Sequence, residues 1–196
     1  RTEEVRQQFA RFVGASGDEI GFISSTSEGE NIVVSSMDFK RGDNVVIDDL
    51  HYSTTFALYR HLEKTKEIEL RIVPNRNGKV LLEDLSAAVD KKTKLVSVAW
   101  VSHQNGFRHD MKALADLAHL NGALLYTDAI QAVGMFPMNL TKTGVDFLAS
   151  GTYKWLLAGF GVAPFYVRKE HLDRIQPDRR GHLHIEKDLG GYNYEL

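Results

Sequence analysis

The sequence contains no cysteine, and this absence removes several kinds of chemistry from consideration. Without thiols, these 196 residues cannot form disulfides, bind a metal through thiolates or use a cysteine nucleophile. The net charge is only −2 and no long run of one sign occurs, so nothing predicts binding to nucleic acid or to an anionic membrane surface. The longest apolar stretches, such as Leu95 to Val101, are too short to cross a bilayer.

The same features set expectations for location and size. The first residues lack the apolar segment of a signal peptide, and a cysteine-free composition fits a cytoplasmic protein, which is the location that we predict. Hydrophobic residues make up 43% and charged residues 26%, as in ordinary globular proteins. The length favours one domain with a substantial core, and we predict no metal site.

Short apolar runs alternate with amphipathic stretches, which predicts an α/β fold with a mostly parallel sheet. The run Leu95 to Val101 is apolar at nearly every position, as is typical of strands covered on both faces, so we expect a three-layer sandwich. We predict strands at 20–23, 45–47, 68–73, 95–101, 123–127, 147–149 and 162–167, and helices at 2–13, 28–37, 54–62, 82–89 and 111–120.

Polar residues cluster just after the predicted strands. Ligands of open α/β sheets bind beyond the carboxyl ends of the strands, so these positions predict a ligand site. The polar segments are 24–27, 48–51, 102–106, 128–131 and 150–154.

Two residues of these segments suit a pyridine cofactor. Asp128 is either a helix cap or a carboxylate that keeps a pyridine ring protonated, and its spacing alone supports both readings equally. A lone lysine is usually a solvated surface residue. Lys154, however, stands between Tyr153 and the apolar residues 155–157, a setting that favours the neutral amine needed for Schiff-base chemistry.

Three blocks of sequence, at 122–134, 145–151 and 153–161, resemble the core signature of class V aminotransferases and cysteine desulfurases, a group of pyridoxal-phosphate (PLP) enzymes of fold type I. The resemblance implies the large domain of a PLP-dependent transferase, with pyridoxal 5′-phosphate as cofactor. It also implies that Asp128 pairs with the pyridine nitrogen, that Gln131 hydrogen-bonds the ring hydroxyl and that Lys154 forms the Schiff base.

Two other segments carry the resemblance to the phosphate end of the cofactor. The segment 24–31 is similar to the family's phosphate loop, which implies that Thr26 and Ser27 hold the phosphate at a helix start. A simple N-cap with an acid in the first turn is the other reading, and both can hold for the same residues. A tyrosine before the lysine, as in kynureninase-like and epimerase-like members, implies that Tyr153 reaches the phosphate, together with Thr152.

Two histidines complete the predicted site by resemblance. His51 matches the family histidine that stacks on the cofactor ring and counts as a catalytic residue, with Asp128 and Lys154. His103 stands where relatives carry an asparagine that contacts the ring hydroxyl. The contact therefore falls to His103 or to Asn105.

The resemblance also implies how the chain is divided. We expect residues 1–175 to form the PLP-binding large domain, partial at its N-terminus, and residues 176–196 to be a connector towards a C-terminal small domain that is absent here. In family members that domain supplies the arginine for the substrate α-carboxylate and, in desulfurases, the mobile cysteine.

By resemblance, the function is that of a PLP-dependent enzyme acting on a small-molecule amino acid through Lys154. Tyr153 replaces the histidine common in desulfurases, which favours transamination or epimerisation. A carbon–sulfur lyase of the cysteine desulfurase or selenocysteine lyase type is the second reading, and a non-catalytic fragment retaining the fold is the third. A nucleotide-binding domain is disfavoured because no glycine-rich phosphate motif occurs.

The resemblance finally implies a homodimer, without nucleic-acid or membrane partners. Four aromatic residues lie near predicted strand ends, where aromatic side chains often anchor interfaces, although they could equally belong to the core. These residues are Trp100, Phe107, Phe160 and Tyr166.

Overall fold

The computed structural model describes residues 1–176, 187–191 and 193–195, and within them a seven-stranded sheet lies between helices. The strands are β1 (Ile20–Ile23), β2 (Asn44–Asp48), β3 (Glu69–Val73), β4 (Thr93–Ala99), β5 (Leu124–Asp128), β6 (Phe147–Ala149) and β7 (Ala163–Val167). The α-helices are α1 (Thr2–Val13), α2 (Thr26–Ser35), α3 (Ser53–Lys66), α4 (Leu82–Ala88), α5 (Met111–Leu120) and α6 (Leu140–Thr143), and 3₁₀ turns occupy Gly17–Glu19 and Lys169–Arg174.

The strand directions bring the strand ends together at one edge. The order across the sheet is β1-β7-β6-β5-β4-β2-β3. All neighbours from β6 to β3 pair in parallel, whereas β7 is antiparallel to both β6 and β1. Two antiparallel steps restore the original direction, so β1 to β6 run the same way and only β7 is reversed. The prediction of a mostly parallel sheet is confirmed.

The sheet is buried on both faces, because neighbouring side chains of a strand point to opposite sides. Val45 and Ile47 pack into one apolar cluster, while Val46 between them packs into another. One cluster contains residues of α2 and α3, namely Val33, Tyr59 and Leu62. The other contains residues of α1, α4 and α5, namely Ala10, Val13, Leu85, Met111 and Leu114. The three-layer architecture is therefore confirmed, and it explains the near-continuous apolar runs.

Most predicted boundaries agree with the structure to within a few residues, but two differences affect the site. Helix α2 begins at Thr26, not after Ser27, because Ser25 is its N-cap and accepts the amide hydrogen of Glu28 through Oγ at 3.1 Å. Strand β4 ends at Ala99 and not at residue 101, and Val101 forms instead an isolated antiparallel bridge with Arg108.

The predicted connector at 176–196 lies largely outside the described residues. Within the described part, β8 (Lys187–Gly190) and β9 (Asn193–Glu195) form an antiparallel pair that the sequence did not predict. The domain boundary at residue 175 stays a prediction. No helix among the described residues is long and apolar enough to span a membrane.

Candidate active site

A cavity lies at the edge where the carboxyl ends of the parallel strands meet. Its volume is about 190 Å³, below the roughly 300–1,000 Å³ of pockets that enclose drug-sized ligands, so it suits one small ring compound. Seven of the nine residues predicted to bind the cofactor line it. The full lining comprises Ser25, Thr26, Ser27, Tyr52, Ala99, Val101, His103, Asp128, Ile130, Gln131, Tyr153 and Lys154.

The start of helix α2 forms one end of this cavity. Gly29 lets the helix lie close to β6, since an added Cβ would be only 2.7 Å from Cβ of Ala149. The buried Tyr126 donates its hydroxyl hydrogen to the carbonyl of Thr26 at 3.2 Å, and the amide of Gly151 donates to Thr26 Oγ1 at 3.0 Å. First-turn amides lack partners within a helix, so this end of the cavity suits an anion such as a phosphate.

Asp128 supplies a buried carboxylate from the last position of β5. Its Oδ1 accepts the amide hydrogen of Ile130 at 2.9 Å, whereas Oδ2 has no hydrogen bond to the described residues. Burial raises the pKa of Asp128, and the charges of His51 and Lys154 only partly oppose that effect. A cationic group in the cavity, such as a protonated ring nitrogen, would therefore stabilise the ionised carboxylate.

Lys154 lies in the turn that follows β6, and its side chain lines the cavity. The turn is closed by the amide of Leu157, which donates to the carbonyl of Lys154 at 3.1 Å. The predicted apolar enclosure of Lys154 is wrong, because Tyr153 is 40% exposed, Trp155 is 46% exposed and Leu157 is 88% exposed. Phe160 stacks on the ring of Tyr153, with centroids 4.2 Å apart.

Two predicted site residues do not line the cavity. The hydroxyl of Thr152 lies 2.7 Å from the carbonyl oxygen of Gly159 and 3.0 Å from that of Val162, so it closes the loop instead. His51 is 1% exposed and points into the protein. Its Nδ1 accepts the amide hydrogen of Tyr52 at 2.7 Å, and its Nε2 lies 3.4 Å from Ser97 Oγ. His51 is therefore buried beside the cavity, next to Asp128 and His103, and its stacking on the cofactor ring stays a prediction.

Tyr52, the residue after His51, is the aromatic residue of this strand end that lines the cavity. Its ring lines the cavity and meets the His103 ring edge-on, with centroids 5.1 Å apart. An aromatic residue beside His51 at a strand end was a usable signal, but one side chain of two consecutive residues faces the cavity, and the sequence did not show which. Ser25 was also missed, although the Ser-x-x-Glu spacing of a helix start includes it.

His103, and not Asn105, is placed to contact a ligand. Asn105 donates from Nδ2 to the carbonyl of Gly78 at 2.8 Å and accepts the amide hydrogen of Phe107 through Oδ1 at 3.0 Å, so both ends of its amide are used in the turn. Burial, with the charges of Lys154 and His51, lowers the pKa of His103, which keeps the imidazole neutral at neutral pH.

A group of potential metal ligands lies away from the cavity. Ligand atoms of Asp146, Glu170 and His171 are within 4.8 Å of one another. Asp146 already accepts hydrogen bonds from His171, His119 and the amide of Leu125, at 2.7–2.9 Å. Because the guanidinium of Arg168 also lies 3.5 Å from Asp146, we interpret the group as an ion-pair network and not as a cation site.

Comparison with known proteins identifies the family. The sequence profile described as aminotransferase class-V matches residues 1–191, and the chain belongs to this family. A Bacillus subtilis protein named uncharacterized aminotransferase YcbU is 34% identical over 90% of this chain and 47% of its own length. A probable cysteine desulfurase of Methanothermobacter thermautotrophicus is 32% identical over 90% of this chain and 44% of its own length.

A solved structure supports the same assignment. The apo structure of the cysteine desulfurase from Thermococcus onnurineus NA1 superposes with a TM-score of 0.89 at 31% identity, covering 99% of this chain and 49% of that one. The chain thus spans about half the length of the relatives that it matches.

Class V enzymes depend on pyridoxal phosphate, so the cofactor predicted from the sequence is confirmed at the level of the family. The residues around the cavity fit this group. An anion-binding helix start, a buried carboxylate with one free oxygen and a lysine amine face one cavity of suitable size. These are the groups needed for the phosphate, the ring nitrogen and the aldehyde, respectively.

Proposed function

We propose that the chain holds pyridoxal phosphate in this cavity and uses it to act on the α-carbon of an amino acid. The observation that carries the proposal is that Lys154, Asp128 and the start of α2 face the same cavity. When bound, the cofactor supplies an electron sink for the charge left at the α-carbon.

Some residues of the cavity bind the cofactor, and others hold or transfer a proton. Thr26, Ser27 and Tyr153 bind the phosphate, and Tyr52 covers one side of the ring. The carboxylate of Asp128 holds a proton at the ring nitrogen, which strengthens the pull of the ring on electrons. The amine of Lys154 holds the cofactor and, once substrate has displaced it, moves a proton at the α-carbon.

For the reaction type, we propose transamination or epimerisation. The reason is Tyr153, which precedes Lys154 where desulfurase-type relatives often have histidine. Cysteine desulfurase activity is the second candidate, because curated relatives that carry this name are 29–32% identical to the chain.

Two assays separate the candidates, made on the PLP-loaded protein in the full length in which it occurs, because a desulfurase needs a mobile cysteine and these 196 residues contain none. With alanine and an α-keto acid, we expect amino transfer, or deuterium at the alanine α-carbon in heavy water, as measured by proton NMR. With cysteine, we expect no sulfide release above that of a Lys154→Ala control. Sulfide release without transfer or exchange would support the second candidate. Bound cofactor without turnover of any amino acid would support the non-catalytic reading.

We further propose that the protein is a homodimer. Trp100 and Tyr166, two of the aromatic residues suggested for the interface, are buried in the core, so they do not support it. The loop after Lys154 supports it better, because three large apolar side chains are exposed there, namely Trp155, Leu157 and Phe160.

The dimer proposal predicts that Leu157→Glu shifts the protein to monomer, because a charge would be buried at the contact. Sedimentation velocity at micromolar concentration measures this, with Leu120→Glu, a change at another largely exposed leucine, on α5, as the matched control. A monomeric wild type would show that the proposal is wrong.

A further inference from the structure

Trp155, the residue after the cavity lysine, makes a hydrogen bond that determines the orientation of Gln131. The indole Nε1 lies 2.8 Å from Oε1 of the Gln131 amide. An indole N–H can only donate, so the atom that faces it must be the amide oxygen. The amino group, Nε2, is then the group that Gln131 has left to offer, and no described residue accepts a hydrogen bond from it.

The backbone segments that carry Trp155 and Gln131 are both held in place by contacts. The turn after β5 is closed by the amides of Ala132 and Val133, which donate to the carbonyl of Ala129 at 2.8 and 3.0 Å. Gly134 follows with φ of +95°, and a Cβ there would be 2.6 Å from the carbonyl oxygen of Trp155. The backbones of the two segments are therefore in direct contact, which keeps Trp155 and Gln131 within hydrogen-bond reach.

We propose that Trp155 is a positioning residue that makes Gln131 present its NH₂ group, and not its carbonyl, to the cavity. Gln131 then selects a ligand that carries an acceptor oxygen on its ring. This inference rests on the proposed function, in which the ring hydroxyl of pyridoxal phosphate is that oxygen. With the Trp155 N–H removed, the amide is free to rotate and the preference for the ring oxygen is lost.

The test compares two ligands by equilibrium dialysis: pyridoxal 5′-phosphate and its 3-deoxy analogue, which lacks the ring oxygen. Trp155→Phe keeps an aromatic ring but removes the donor. We expect it to weaken binding of pyridoxal phosphate by roughly threefold to tenfold, the usual range for one hydrogen bond, and to leave binding of the analogue unchanged. Leu120→Ala, at an exposed leucine of α5 outside the cavity lining, should change neither affinity.

Two further variants test the mechanism and remain informative if Trp155→Phe folds poorly. Gln131→Glu still accepts from the indole but cannot donate when ionised, so it should lose the same preference for the ring oxygen. Trp155→His supplies a ring N–H again and should recover part of the preference for the ligand with the ring oxygen. In the double variant, Trp155→Phe should add little to the loss of affinity for pyridoxal phosphate that Gln131→Ala causes alone, because the two residues act through one contact.

The contrary outcomes are distinct. Equal weakening of both ligands by Trp155→Phe would mean that the tryptophan only supports the loop, and the inference would be overturned. Equal binding of both ligands to the wild type would also overturn it, while leaving the proposed function standing. Failure of the wild type to bind either ligand would overturn the proposed function and this inference together.

Discussion

Replacing Lys154 by Arg is expected to abolish covalent attachment of pyridoxal phosphate. The guanidinium keeps the positive charge but stays protonated, so it offers no nucleophilic nitrogen to the aldehyde. After incubation with the cofactor and borohydride reduction, peptide mass spectrometry should find the modification on residue 154 of the wild type and not on that of the variant. The α-proton exchange of alanine should also fall, by roughly 10²–10⁴-fold, because a proton-transferring group is lost.

Lys169→Arg is the matched control for this experiment. The amine of Lys169 is largely exposed and lies 3.7 Å from the carboxylate of Asp18, away from the cavity lining. The Lys169→Arg variant should therefore change neither the labelling of residue 154 nor the rate of α-proton exchange. Undiminished labelling of the Lys154→Arg variant at some other lysine would show that the cavity amine is not the attachment point.

Asp128→Asn is expected to slow α-proton exchange on the order of 10²-fold, a typical cost of losing one electrostatic contact in an active site. Asparagine is nearly isosteric, and its amide oxygen can still accept from the amide of Ile130. It cannot, however, hold a proton on the ring nitrogen by charge, so the cofactor loses part of its electron-withdrawing strength.

The same substitution should stabilise the cofactor-free protein at high pH. Burial raises the pKa of Asp128 in the folded state, so the folded protein binds this proton more tightly than the unfolded chain does. The contribution of Asp128 to stability is therefore fully present below the unfolded pKa and is lost as the pH rises through the folded pKa. We expect Asp128→Asn to raise the Tm at pH 8 and to have no such effect in acid, as measured by thermal unfolding at both pH values.

Asp116→Asn provides the control for both measurements. Asp116 is exposed on α5 and pairs with Lys112, so its removal should leave the exchange rate unchanged and the Tm shift small at every pH. Near-normal exchange by Asp128→Asn would mean that this carboxylate serves only to accept the amide hydrogen of Ile130.

The predictions from sequence succeeded for residues that have a suitable functional group and also lie at or just after the end of a strand. Asp128 ends one apolar strand and Lys154 follows another, and parallel strands bring such positions to one edge, so their convergence was predictable. The expectations that the structure does not support concern the direction in which a side chain points. Thr152 was expected at the cofactor, but its hydroxyl bonds backbone carbonyls of its own loop.

His51 illustrates the same limit at another strand end. The residue type suggested a ring contact, whereas the structure buries His51 and places its neighbour Tyr52 in the cavity lining. Spacing places a residue near the site, whereas the local dihedral angles decide which of two neighbours faces it.

The sequence by itself determined the α/β class, the covered sheet and the family, because apolar periodicity and ordered motifs are local properties of a chain. The tertiary structure alone decided which hydroxyls remain available, which apolar residues stay exposed, and how the Gln131 amide is turned. That last feature depends on a hydrogen bond between side chains 24 residues apart. Its geometry arises only when the turn after β5 packs against the loop after β6, and no spacing within either segment encodes it.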